Sequence, residues 1–128
     1  MTDRDITWIV AADGARARVF EERVHGGPLH ELTEHAVHAA AHAHARAAVG
    51  ADHAEAKFLH QVAEVVNRAS DAQTFQHLVL MAPPKALGEL RTLLKATSLA
   101  KVRDADPHER TSEDPVKLRE SLRHLRTY

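Results

Sequence analysis

Apolar positions in this chain fall in short blocks whose period changes along its length. Ile6, Thr7, Trp8, Ile9, Val10, Ala11 and Ala12 form a nearly continuous apolar run, the pattern of a strand covered on both faces and therefore central in a sheet. Asp13-Gly14 tolerates the positive φ of a tight hairpin, after which Ala15 to Glu22 alternates. Ala15, Ala17 and Val19 share one face of that strand, and Arg16, Arg18 and Phe20 share the other. A second turn is predicted at His25-Gly26-Gly27-Pro28, followed by a weaker, more polar third strand over Leu29 to Val37, toward an edge. Ala36 to Ala51 is Ala and His with almost nothing bulky, which predicts a flexible, partly helical connector, because Ala favours helix but offers no anchoring surface. Asp52 and Glu55 make a D-x-x-E capping pattern, and Phe58, Leu59, Val62, Val65, Val66 and Ala69 recur on one helical face.

After a polar break at Ser70 to Gln73, His77 to Ala82 reads as a buried strand stopped by Pro83 and Pro84. Pro84 suits the first turn of a helix with Leu87, Leu90, Leu93 and Leu94 as its stripe. Leu99 to Arg103 is the expected fifth strand, so that Leu78 to Val102 forms a βαβ unit with parallel strands. Asp114 and Pro115 open a last helix with Leu118, Leu122 and Leu125 on one face. The order βββ-α-β-α-β-α predicts an α/β fold, a mixed five-stranded sheet with helices packed on it, an order shared with ribonuclease H-like folds.

Length adds that the 128 residues suffice for one domain, 1–128, with the connector at 36–51 as its one flexible stretch. Seventeen Lys and Arg against eighteen Asp and Glu leave a net charge of -1, so no global field draws the chain to nucleic acid or an anionic membrane. Membrane and DNA are not expected partners, and any RNA contact has to come from a local patch. The absence of Cys excludes disulfides, thiol catalysis, iron-sulfur clusters and Cys-containing zinc motifs. No signal-peptide pattern opens the chain and no run of about eighteen apolar residues occurs, which predicts a cytoplasmic protein.

Two stretches resemble the hallmark segments of the bacterial host attachment family, proteins labelled as required for attachment to host cells. They are Thr7-Trp8-Ile9-Val10-Ala11-Ala12-Asp13-Gly14-Ala15-Arg16-Ala17-Arg18-Val19-Phe20 and Leu78-Val79-Leu80-Met81-Ala82-Pro83-Pro84-Lys85-Ala86-Leu87-Gly88-Glu89-Leu90-Arg91. That family is similar to the middle domain of archaeal and eukaryotic class I release factors, and the resemblance implies that domain's α/β sheet. In release factors the connector after the third strand carries a Gly-Gly-Gln tripeptide for peptide release; here the connector holds Gly50 and no Gln, so that chemistry is not carried over. The family's basic stretch after the last strand is matched only loosely by Pro107-His108-Glu109-Arg110-Thr111.

Three groups of side chains are candidates for chemistry. Eleven His are present, and His35, His38 and His42 would fall at i, i+3 and i+7 of a helical connector, close enough to converge on zinc or nickel, although a solvated connector explains them more simply. Asp13, Asp104 and Asp106, with Glu55 or Glu64, are the acids a two-metal nuclease would need, although Asp13 already serves the hairpin. Arg16, Arg18 and Phe20 form a small basic and aromatic ladder suited to an RNA base and its phosphates, and Lys85 and Arg91 extend the basic surface. Against this stands the simpler expectation that Phe20 packs under a helix. The last helix's Leu stripe fits the sheet or a second copy in a homodimer. The sequence therefore favours a non-enzymatic binding module without a cofactor, contacting RNA or ribosomal components, with a metal-dependent hydrolase as the competing class.

Overall fold

The computed structural model describes residues 5–39 and 51–126. Strand β1 (Thr7–Ala12) sits inside a mixed sheet, and all six of its residues are buried. Its neighbours are β2 (Arg16–Glu22), antiparallel through the Asp13-Gly14 turn, and β5 (His77–Met81), parallel. Beyond β5 lies β6 (Val102–Asp106), also parallel, and beyond β2 lie β3 (Leu29–Glu31) and β4 (Val37–His38). The strand order is β3-β2-β1-β5-β6, with β4 pairing β2 further along.

Alternation along β1 feeds two cores. Trp8, Val10 and Ala12, with Val19, Leu78 and Leu80, pack against helix α1 (Ala51–Asp71) and helix α2 (Pro84–Leu93) through Phe58, Leu59, Val62, Val66 and Leu90. Ile9 and Ala11, with Phe20, Leu29, Val79 and Met81, lie under Leu118 and Leu122 of helix α4 (Pro115–Leu125). Helices on both faces make the central strands apolar on both sides, as a parallel sheet requires. Each of the two α4 leucines is fully buried, and such burial contributes about 1.5–3 kcal/mol per side chain. Pro84 stands at the first turn of α2, and Asp114 caps α4 by accepting from the Lys117 amide at 2.8 Å.

Three expectations are corrected. The third strand is not continuous over Leu29 to Val37: a 3-10 turn at Thr33–His35 divides it into β3 and β4, raising the sheet to six strands. The break lets the His35 ring lie on Trp8, with centroids 5.0 Å apart, where an unbroken strand would have carried it along the sheet edge. The last strand is displaced from Leu99–Arg103 to Val102–Asp106, because Ala96–Leu99 forms the one-turn helix α3. Asn67 of α1 fixes that turn, its Oδ1 accepting from the Lys95 amide at 3.0 Å and from Ser98 Oγ at 2.8 Å. Helix α1 already includes Ala51, so Asp52 stands within its first turn, and Val37–His38 belongs to the sheet instead of the connector. The rest of the expected connector, with His42, lies outside the described residues.

Candidate functional site

The carboxyl ends of β1, β5 and β6 bring several predicted residues together, the edge at which open α/β sheets place ligands. Asp13 Oδ1 accepts from the Ala15 and Arg16 amides, both at 2.7 Å, and closes the hairpin turn. Its other oxygen accepts from Thr111 Oγ1 at 3.0 Å. A Cβ on Gly14 would stand 3.2 Å from Glu55 Oε2, so the turn approaches the Glu55 side chain of α1 closely.

Thr111 is 1 % exposed and is the hub of a strap over residues 106–114. Its carbonyl accepts from Arg16 Nη2 and Arg18 Nη1, each at 2.8 Å, and its amide donates to Glu109 Oε2 at 2.7 Å. The Thr111 hydroxyl also contacts Glu109 Oε2. Arg18 reaches the Glu113 carbonyl at 2.7 Å and holds Glu31 in a two-pronged pair at 2.9 and 2.8 Å. That pair raises the Arg18 pKa and holds the Glu31 carboxyl below its usual range, the hydrogen bonds outweighing burial in both. Asp106, buried opposite Met81, accepts from Arg110 Nε at 2.6 Å and approaches His108 Nδ1 at 2.5 Å. The bond to Asp106 is the main reason the Arg110 pKa is raised.

These positions revise the candidate roles. Phe20 is 0 % exposed in the α4 core, with the Arg18 guanidinium 4.9 Å from its ring centroid, so the ring is not available to stack on a base. Alternation assigned Arg16, Arg18 and Phe20 to one face correctly; that face is the one α4 and the strap cover. Lys85 and Arg91 are exposed on α2. Asp104 and Asp106 are on a strand, not in a loop, and Asp106 is held by its own chain's donors. His35 and His38 straddle the 3-10 turn and β4, so the helical spacing proposed for a metal site does not exist there. Among the described residues no three His, Asp or Glu side chains are placed to hold a metal ion.

At the opposite end of the sheet the basic cluster that closes the last helix, which by sequence does no more than complement the helix dipole, meets Glu22, which the sequence did not single out. Glu22, 1 % exposed, accepts from Arg126 Nη1 and Nη2 at 2.9 and 2.7 Å, from Arg119 Nη1 at 2.7 Å and from the Gly26 amide at 3.0 Å. Burial alone would raise this carboxyl, but the bonds from Arg126, Arg119 and Gly26 bring it down to about 2. Gly26 adopts a φ of 84° in the turn that presents this amide. The available signals were the alternation of β2, which puts Glu22 on the Arg16 face, and the seven-residue spacing of Arg119 on α4 and Arg126 at its C-terminal cap.

Beside Glu22 lie two cavities. One of about 300 Å³ is lined by Asp5, Thr7, His77, Arg103 and Asp104, and one of about 180 Å³ by Gly26, Arg119 and Arg123. His25 and Arg126 line both, so the two are contiguous.

Fold and sites together define an α/β domain with a mixed six-stranded sheet between helices, an internally bonded carboxyl edge and a cationic cleft at the other end. No helix among the described residues is long and apolar enough to cross a membrane. The chain belongs to the family described as protein required for attachment to host cells, whose model matches residues 49–122, more than half of its length. The match takes in Leu78 to Arg91 and the strap, while the hairpin of residues 7–20 precedes it. No curated protein matches the chain.

Proposed function

We propose that this attachment-family protein is a non-enzymatic binding module that acts in the cytoplasm on RNA or an RNA-bearing component of the translation machinery. The observation that carries the reading is the state of Asp13, the acid a metal-dependent hydrolase would need first. Two backbone amides and the Thr111 hydroxyl take up its oxygens, so it serves as a turn cap and strap anchor. Asp106 is likewise held by Arg110 and His108. A catalytic cation needs carboxylates that converge on it, whereas Asp13 is committed to the turn and the strap and Asp106 to Arg110 and His108, each spending lone pairs on its own chain's donors.

The translation link is supported by the order of strands and helices, which is that of a release-factor middle domain in our reading. The lack of Gly-Gly-Gln in residues 36–51 separates the chain from peptide release. The test is a pull-down of the tagged protein from lysate at about 50 and about 200 mM salt, with sequencing of retained RNA. Ribosomal RNA that dissociates as salt rises is the expected result. Divalent-metal-dependent turnover of RNA, lost in Asp13→Asn, would overturn the reading in favour of the hydrolase.

A further inference from the structure

The sheet end opposite Asp13 carries a surface with the chemistry the functional reading needs. Arg119 reaches it from α4 and Arg126 from the cap just after that helix, both held in place by Glu22 beneath them. The bonds of Arg119 to Glu22 and to the Gly27 carbonyl both leave from Nη1, so its Nε and Nη2 protons are not used by either acceptor. A guanidinium fixed by a buried carboxylate is ready to receive a second anion without further loss of side-chain freedom.

Arg103 enters from β6. Its Nη2 lies 3.5 Å from His77 Nε2, but that nitrogen is 2.5 Å from Asp5 Oδ1 and carries the proton that binds the carboxylate. It therefore has no lone pair for Arg103, which meets no carboxylate among the described residues while lining the larger cavity. The acids nearby are unequal. Glu22 is saturated below the surface, Glu120 is paired with Arg123, and Asp5 is taken up by His77. Asp104, half-buried on the rim, is the remaining carboxylate and opposes an incoming anion.

We propose that the cleft lined by His25, Arg103, Arg119, Arg123 and Arg126 is a phosphate-binding site that takes the backbone of an RNA strand. Successive phosphodiesters lie along the two contiguous cavities, with Arg103 at one end and Arg123 at the other. The RNA part of this assignment rests on the functional reading above; the phosphate chemistry rests on the cleft alone. Because Asp104 opposes the ligand, its neutralisation strengthens binding, an effect that loss of folding would not imitate.

The experiment measures binding of a fluorescein-labelled single-stranded uridine oligonucleotide by anisotropy, together with amide shifts on adding inorganic pyrophosphate. The proteins are wild type, Arg103→Ala, Arg123→Ala, Asp104→Asn and, as a comparison on α1, Lys57→Ala. Arg103 and Arg123 are exposed and do not hold Glu22, so thermal melts of the variants are expected to match wild type. The expected result is roughly 3- to 10-fold weaker RNA binding for each arginine variant and a salt slope shallower by about one. Asp104→Asn tightens binding, Lys57→Ala leaves it unchanged, and pyrophosphate shifts the amides of His25, Arg103 and Arg123. RNA bound equally by wild type and both arginine variants would overturn the cleft and leave the functional reading standing. Pyrophosphate seated in the cleft with no RNA bound would overturn that reading and keep the phosphate site. No shift in the cleft and no RNA binding would overturn both.

Discussion

Replacing Glu22 with Gln tests the ion cluster that ties α4 to the sheet. The carboxylate is buried, and Arg126, itself 9 % exposed, depends on both of its oxygens. Holding the folded carboxyl at about 2 against an ordinary 4.5 makes its ionised form contribute about 3 kcal/mol to stability, at 1.36 kcal/mol per pH unit of displacement. Because the folded value is depressed, that contribution is present in full above about pH 4.5 and is lost as pH falls through about 2. Glu22→Gln removes it at pH 7 and leaves two guanidiniums over a neutral amide, and breaking a buried pair from one side costs about 3–5 kcal/mol. Urea unfolding followed by Trp8 fluorescence reads this directly. With a slope of about 1–3 kcal/mol per molar, the midpoint is expected to fall by roughly 1–5 M at pH 7. The difference between variant and wild type is expected to shrink as both are titrated from pH 5 toward 2. A loss below about 1 kcal/mol at pH 7, or a difference that stays constant down to pH 2, would refute the reasoning.

Leu122→Ala, at a fully buried α4 position over Met81 and Phe20, is expected to cost about 2–5 kcal/mol by denaturant unfolding. Arg18→Ala removes the bonds to Glu31 and to the carbonyls of Thr111 and Glu113, so a loss of about 2–4 kcal/mol is expected with RNA affinity per folded molecule unchanged. Unchanged stability with abolished RNA binding would return Arg18 to the role the sequence suggested. Thr111→Val leaves Asp13 Oδ2 without its hydroxyl donor, and a loss of about 1–2 kcal/mol with faster amide exchange in residues 107–113 is the expected outcome.

Elements specified by neighbouring residues were legible before the fold was known. The apolar block at β1, the Asp13-Gly14 turn, the Pro-stopped strand β5 and the Asp114 cap all have local causes, and each appears where the pattern puts it. The misplaced elements have distant causes. Asn67 fixes the turn at 95–98 from about thirty residues away, which moves β6 along the chain. The third strand breaks where the His35 ring lies on Trp8, a residue distant in sequence. For β2, period two separates its faces but does not say what covers each, so it left the Arg-Phe ladder open between an RNA surface and a packed face, and the simpler expectation holds: Phe20 lies beneath α4, with Arg18 under the strap. The cationic cleft escaped for the same reason. Its residues come from the β2–β3 turn, β5, β6 and α4, and only the folded sheet assembles them.

The central claim is that the chain binds RNA through the cleft and does not turn it over. The most direct measurement is the affinity of purified wild-type protein for a labelled single-stranded RNA across about 50 to 200 mM salt, with magnesium present and the RNA examined afterwards on a denaturing gel. The account predicts intact RNA and a log-log slope of about −2 to −3, as expected for a few neutralised phosphates, becoming shallower by about one in Arg103→Ala. Absence of binding at the lowest salt, or cleavage of the RNA that disappears in Asp13→Asn, would contradict it.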